Sequence, residues 1–344
     1  MTEVTLGRTG LTVNKDGFGV LPLQRTGMEE AARILNRALD GGMNYYDTAR
    51  AYTDSEEKIG RAISSRRGEF ILATKTMAGN TEAFRKDLET SLRNLKTPYI
   101  DIYQFHNPQD FPRPGDGTGL YEAMLTAREQ GKIRFIGITN HRLPVARAAA
   151  ESGLYDTLQF PFSYLSDERD AALVRDCGKL DVGFICMKAL SGGLITDVSA
   201  ARSWLMEYPN ALPIWGIQRE GELEALFEAQ QQPAVLSAAQ RQRIEKDRAE
   251  LSGNFCRACG YCLPCPAEIE ITMCARMFLL LRRMPAGPLL SEQWQREMAK
   301  IPNCLHCNHC KDNCPYGLDT PALLERNYED YRKALEEAGA AKSA

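Results

Sequence analysis

Asp16-Gly17-Phe18-Gly19-Val20-Leu21-Pro22 is the stretch on which the fold turns. It reads as a first β-strand running into a proline. Strand-to-helix alternation follows it to about residue 232. Two architectures share that alternation. A doubly wound open sheet is expected to carry G-x-G-x-x-G after its first strand, and Gly17-Phe18-Gly19-Val20-Leu21-Pro22 is not that pattern. The strand candidates are Asp16–Val20, Met43–Asp47, Phe70–Thr74, Ile100–His106, Ile133–Thr139, Thr157–Pro161, Asp181–Met187 and Leu212–Gly216. A helical pattern follows each. Met28–Asp40 shows it best, with Ala32, Leu35, Ala38 and Leu39 on one side. Eight such units in this span predict an α/β fold, a (β/α)8 barrel of the kind that takes about 250 residues.

Around that barrel the chain divides further. Val4–Val13 holds Gly7, Thr9 and Gly10 between short β-prone runs, which predicts a hairpin plugging the barrel bottom. Residues 1–232 form the barrel domain. Residues 233–255 open on Pro233 and continue as a polar, exposed linker helix rich in Gln, Arg and Glu. Residues 256–320 form a small module whose helical insert carries Met277, Leu280, Leu281 and Met284. Residues 321–344 form a polar helical tail that frays at its end. The formal net charge of −3 gives no basic face for nucleic acid. Met277 to Leu281 is the longest apolar run and cannot span a bilayer. MTEVTLGRTG has no apolar core of a signal peptide.

The small module is defined by its cysteines. Cys304, Cys307, Cys310 and Cys314, closing on Pro315, spell C-x2-C-x2-C-x3-C-P, the bacterial ferredoxin pattern for a [4Fe-4S] cluster. Cys256, Cys259, Cys262 and Cys265, followed by Pro266, form a near-copy with one residue fewer before the fourth cysteine. In two-cluster ferredoxins the fourth cysteine of each run ligates the other cluster. The expected sets are therefore Cys256, Cys259, Cys262 with Cys314, and Cys304, Cys307, Cys310 with Cys265. Zinc and disulfides are the other readings. Zinc ribbons usually pair two C-x2-C units separated by a dozen or more residues, and four cysteines packed this tightly, twice, fit them poorly. His306 and His309 are expected to be exposed loop residues, and Cys177, Cys186 and Cys274 small core residues. Iron–sulfur ligands without an export signal point to a reducing cytoplasm.

In a (β/α)8 barrel chemistry sits at the C-terminal ends of the strands. Those ends give Asp47, then Tyr52 in the loop beyond it, Lys75 and His106. Reducing a carbonyl needs a hydride on carbon and a proton on oxygen. Tyrosine's unperturbed pKa of about 10 is too high for easy donation near neutrality, and a neighbouring ammonium lowers it. Lys75 can do this to Tyr52, Asp47 can hold Lys75, and His106 can orient the carbonyl by a hydrogen bond. The hydride must come from a cofactor.

Gly42-Met43-Asn44-Tyr45-Tyr46-Asp47-Thr48-Ala49, with Tyr52 five after Asp47, resembles the aldo-keto reductase signature. Ala73-Thr74-Lys75, Tyr103-Gln104-Phe105-His106, Gly137-Ile138-Thr139-Asn140, Gln159 and Leu190-Ser191-Gly192-Gly193-Leu194 match further motifs of that family. The resemblance covers about residues 1–232. With the cysteine runs, the chain resembles the branch of the family that carries a ferredoxin-like C-terminal domain. The resemblance implies a nicotinamide cofactor, NADP(H) or NAD(H). It implies that Thr139, Asn140 and Gln159 lie beside the nicotinamide amide and that Asp47 touches the ribose. Leu190 and Gly192 would lie in a phosphate-facing loop. Gly216-Ile217-Gln218-Arg219 resembles the adenosine-phosphate loop, with Arg219 the candidate for a 2′-phosphate. Met187 stands where a ring usually stacks on the nicotinamide, and Lys188 beside it is a candidate for the pyrophosphate.

The resulting expectation is an oxidoreductase that interconverts a carbonyl and an alcohol with NAD(P)(H) and carries two [4Fe-4S] clusters. The clusters either relay electrons, with a ferredoxin or flavodoxin-type partner, or serve structure alone. An electron-transfer or binding module using the barrel as scaffold is the third reading, and a scaffold has no need of Asp47, Tyr52, Lys75 and His106 together. A hydride carries two electrons and each cluster one, and no flavin signature supplies an intermediary. Loops such as Asn107–Thr118 are expected to shape the substrate pocket.

Overall fold

The computed structural model describes residues 2–251, 255–283 and 286–343. The chain divides into two compact units, Met1–Leu190 with Asp197–Gln242, and Ser191–Thr196 with Arg243–Ala344.

The first unit opens with an antiparallel pair, β1 (Glu3–Thr5) and β2 (Thr12–Asn14). Eight parallel strands follow: β3 (Gly17–Gly19), β4 (Tyr45–Asp47), β5 (Ile71–Thr76), β6 (Ile100–His106), β7 (Ile133–Thr139), β8 (Thr157–Pro161), β9 (Gly183–Met187) and β10 (Ala211–Gly216). They pair in sequence order, and β10 pairs with β3, so the sheet closes into a barrel. The helices of this unit are α1 (Met28–Asp40), α2 (Ser55–Ala62), α3 (Thr81–Leu95), α4 (Leu120–Glu129), α5 (Leu143–Glu151), α6 (Glu168–Lys179), α7 (Val198–Met206) and α8 (Glu220–Gln230). Helix α1 has the predicted bounds, but its buried face is Ala31, Ile34, Leu35, Ala38 and Leu39, with Ala32 at the margin.

The hairpin does what its sequence predicted. Val4, Leu6, Leu11 and Val13 share one apolar cluster with Tyr45, Ala73, Ile102, Ile185 and Leu212 of the barrel. It also trims two strands. The Asn14 N–H donates to the Asn44 side-chain oxygen, and β4 begins only at Tyr45 rather than at Met43. The Asp181 carbonyl accepts the Arg8 N–H and Val182 bridges to Gly7, so β9 begins at Gly183 rather than at Asp181. Gly183 cannot carry a side chain there, because a Cβ would stand 2.9 Å from the Leu6 backbone. Strand β5 runs to Thr76, two residues beyond its predicted end, and so includes Lys75.

Helix α9 (Ala238–Leu251) takes the place of the predicted linker helix. It is not exposed throughout: Ile244, Asp247 and Leu251 are buried. The second unit contains α10 (Ile271–Cys274), α11 (Met277–Arg283), α12 (Ala286–Leu289), α13 (Glu292–Met298), α14 (His309–Asp312) and α15 (Thr320–Ser343). Met277 and Leu280 of the apolar insert are buried, whereas Met284 lies outside the described residues. The tail helix α15 is anchored over its first half. Leu323, Leu324, Asn327 and Tyr331 are buried; Asn327 accepts the Phe278 N–H, and the Tyr331 hydroxyl donates to the Leu289 carbonyl. Among the described residues no helix is long and apolar enough to cross a membrane.

Candidate functional site

The C-terminal ends of adjacent strands β4, β5 and β6 bring Asp47, Lys75 and His106 together, as the sequence predicted. The Lys75 ammonium donates to Asp47 Oδ2 and to the Thr48 carbonyl, both at 2.6 Å. Both side chains of the pair are almost fully buried. Burial pushes the Asp47 carboxyl above its ordinary pKa and the Lys75 ammonium below its own, and each partner's charge opposes the push on the other. Tyr52 sits in the loop after β4, half-buried. Its ring stands 5.5 Å from the Lys75 ammonium and meets the His106 ring edge-on at 5.7 Å.

Burial, reinforced by the Lys75 charge, lowers the His106 pKa to about 3. The imidazole is therefore neutral at physiological pH, and its Nδ1 is buried with no partner among the described residues. A neutral imidazole carries one donor nitrogen and one acceptor.

The residues expected around a nicotinamide are buried, Thr139 and Asn140 at the end of β7 and Gln159 in the middle of β8. Their side chains are already committed. Thr139 Oγ1 accepts the Asn107 N–H. Asn140 donates to the Pro108 carbonyl and accepts the Arg142 N–H. Gln159 donates to Asp47 Oδ2 at 3.3 Å and accepts from Gln104. Gln104, which the sequence reading used only as a motif residue, also donates to Asp47 Oδ1. It precedes His106 by two on one strand, so both face the same side, and that spacing was the signal for it. Thr48 had no signal, since it acts through its carbonyl. His141 was also missed; burial first, then the Lys188 and Arg142 charges, hold it well below the ordinary histidine range.

The remaining cofactor candidates separate. Met187 ends β9, and Lys188 follows in a left-handed conformation with φ +60°. Leu190 belongs to the first unit and Gly192 to the second. Gly216 ends β10 and is exposed, as is Arg219. Glu222 Oε2 accepts the N–H groups of Gln218 at 2.7 Å and Arg219 at 3.2 Å, capping α8.

In the second unit the eight cysteines of the two runs border two adjoining cavities. The first is lined by Cys256, Cys259, Cys262, Cys310 and Cys314. The second is lined by Cys262, Cys265, Cys304, Cys307 and Cys310, so Cys262 and Cys310 border both. Among the described residues, no three of His, Cys, Asp or Glu converge tightly enough to hold a single metal ion. His306 and His309 are exposed, and Cys177, Cys186 and Cys274 are fully buried core residues, as predicted.

Comparison with known proteins agrees with both halves. Residues 255–319 match a 4Fe-4S dicluster domain, and residues 16–202 match the aldo/keto reductase family. Aldo-keto reductase YhdN of Bacillus subtilis (strain 168) is 26% identical over 295 residues, covering 66% of this chain and 88% of that protein. L-galactose dehydrogenase of Arabidopsis thaliana is 28% identical over 219 residues, covering 57% of this chain and 69% of that protein. Aldo-keto reductase AKR11C1 from Bacillus halodurans (holo form) shares the fold, with a TM-score of 0.63 at 24% identity over 72% of this chain and 96% of that one. With its closed parallel barrel, its rim of Asp47, Lys75 and His106 and a family match over more than half its length, the chain belongs to the aldo/keto reductase family and carries a C-terminal 4Fe-4S dicluster domain.

Proposed function

We propose that the barrel interconverts a small carbonyl and its alcohol with NAD(P)(H), and that the second unit holds two [4Fe-4S] clusters in a reducing cytoplasm. The observation that carries the first half is the buried Asp47–Lys75 pair beside Tyr52 and a neutral His106. A nicotinamide, when bound, supplies the hydride. The rim suits such a group in its polar atoms: the Gln104 side-chain oxygen and His106 Nδ1 are buried with no partner among the described residues. Thr139, Asn140 and Gln159 already hold other groups of the protein.

The residues then divide the work. Lys75 has three N–H donors, two of them given to Asp47 and Thr48; we assign the third to the Tyr52 hydroxyl. That positive charge stabilises the phenolate left when Tyr52 gives its proton to the carbonyl oxygen. Asp47 fixes the ammonium in place. His106, neutral and held edge-on to Tyr52, orients the same oxygen by one hydrogen bond. In the alcohol-to-carbonyl direction the proton returns to Tyr52.

Crossed ligation is supported by one feature: Cys314 borders the first cavity and not the second, and Cys265 borders the second and not the first. Each cluster would thereby tie the two cysteine runs together, a structural role. Electron exchange with a ferredoxin or flavodoxin-type partner is favoured by one observation. Cys307 and Leu305 at the second cavity are exposed, Leu305 by 65%.

Anaerobically purified protein tests both halves in one sample. We expect about eight irons per chain, four for each cluster, and NAD(P)H oxidation with a panel of small carbonyls. Cys314→Ala should disturb the cluster of the first run. Zinc in place of iron in freshly isolated protein would overturn the cluster reading. Clusters reduced by NAD(P)H at the rate of turnover would establish the relay over the structural role.

A further inference from the structure

The two cysteine runs are built alike. Two residues after the first cysteine, Ala258 and His306 take left-handed φ values of +50° and +49°. Four residues after it, Gly260 and Asn308 do so at +82° and +61°. Three residues after the last cysteine, Glu268 and Gly317 repeat the match at +54° and +62°. Left-handed backbone is costly for most side chains, so these shared positions mark one loop geometry used twice. Matched side chains can then be set against each other.

They differ in charge. The residue after the first cysteine is Arg257 in the first run and Leu305 in the second. The residue two after the last cysteine is Ala267 in the first run and Tyr316 in the second. Arg257 and Tyr316 line the first cavity, Leu305 and Ala267 the second. The guanidinium carbon of Arg257 stands 4.4 Å from the centre of the Tyr316 ring and 4.7 Å from that of Phe255. A cation over an aromatic face is attracted by the ring's quadrupole, and a guanidinium is always charged. The charge is thus held against a ring that itself borders the first cavity. Arg257 is the only Lys, Arg, Asp or Glu in the lining of that cavity, and the lining of the second holds none.

We propose that Arg257, stacked on Phe255 and Tyr316, selectively raises the reduction potential of the cluster bound by Cys256, Cys259, Cys262 and Cys314. This rests on the reading of two clusters with crossed ligands. One-electron reduction by an external reductant adds one negative charge to a cluster, and a fixed cation at its wall stabilises the reduced form. Net charge is among the terms that set such potentials, and solvent exposure is another. Cys307 is exposed at the second cavity, so Arg257 does not by itself rank the two potentials. Arg257 ligates nothing and acts through the cluster's surroundings.

The experiment is an EPR-monitored titration of the anaerobic full chain with dithionite, with iron counted in each sample. Arg257→Leu, which gives the first run the residue of the second, and Arg257→Met should each lower the reduction constant of one cluster about threefold or more, about 28 mV for one electron. The other cluster should move by less than half as much, and Arg257→Lys should keep most of the wild-type value. Leu305→Arg with Ala267→Tyr rebuilds the stacked cation at the second cavity and should raise the potential of the other cluster. Two loaded clusters with unmoved or equally shifted potentials in the neutral variants would overturn the inference and leave the cluster reading intact. So would an Arg257→Lys value as low as that of Arg257→Leu. Should the neutral Arg257 variants lose iron, the rebuilt second cavity decides: both clusters loaded and neither raised overturns the inference. Iron absent from the wild type would instead sink the cluster reading.

Discussion

Replacing Lys75 by Met removes the ammonium and keeps the bulk. It strands the Asp47 carboxylate, which is buried and then holds, among the described residues, only two amide donors, Gln104 and Gln159, each at 3.3 Å. Bonds that long are at the weak end of the range. Removing one partner of a buried ion pair costs about 3–5 kcal/mol, and the two amides recover little of it. Asp47 can escape by taking a proton. Its folded pKa is already raised by burial, and losing Lys75 removes the charge that opposed the rise. In the variant the folded state keeps a proton that the unfolded state, with a carboxyl pKa of about 3.9, has lost. Stability is then fully present below the unfolded pKa and falls as pH rises through the folded one, by about 1.4 kcal/mol per pH unit. Lys75→Met with Asp47→Asn removes both charges and should regain about 2 kcal/mol or more. Urea unfolding at pH 5.5 and pH 8 measures this. A Trp294→Phe background leaves Trp204 and Trp215 of the first unit as the fluorescent reporters. A single variant within about 1 kcal/mol of wild type at both pH values, or a double variant no more stable than the single, would refute the buried ion pair.

Two further outcomes follow from the same geometry. His106, with its pKa lowered to about 3 by burial and then by Lys75, binds its proton more weakly folded than unfolded. It should cost stability as pH falls from about 6.5 toward 3, and it should show no titration between pH 5 and 8 in 13C-histidine NMR, with His106→Gln assigning the signal. Glu222→Gln removes a carboxylate from the N-terminus of α8, where it caps Gln218 and Arg219. Charges at helix ends are worth about 0.3–1 kcal/mol, so the ratio of kcat/KM for NADPH over NADH should rise roughly two- to fivefold; an unchanged ratio would place the adenosine end of the cofactor elsewhere.

The barrel was legible because each strand is a short β-rich run followed by a 3.6-periodic helix, and three successive strand ends carry or adjoin residues, Asp47 with Tyr52, Lys75 and His106, that apolar packing does not explain. Strand boundaries failed where a distant segment took the hydrogen bonds: Asn14 on Asn44, and Arg8 and Gly7 on Asp181 and Val182. No local pattern encodes those contacts. Gln104 was readable from its two-residue spacing to His106. The capping of Arg219 by Glu222 was within reach, since an acidic residue at the third helical position is an N-terminal signal.

The most direct test of the account is Tyr52→Phe, assayed anaerobically for carbonyl-dependent NAD(P)H oxidation with its iron content measured in the same sample. The variant should keep its clusters and bind the nicotinamide as wild type does. Its turnover should fall by about 10²-fold or more, the scale of a positioned proton donor. Turnover near wild type on every carbonyl that the unaltered protein reduces would contradict the assignment of Tyr52 as the proton donor, and with it the role proposed for Lys75.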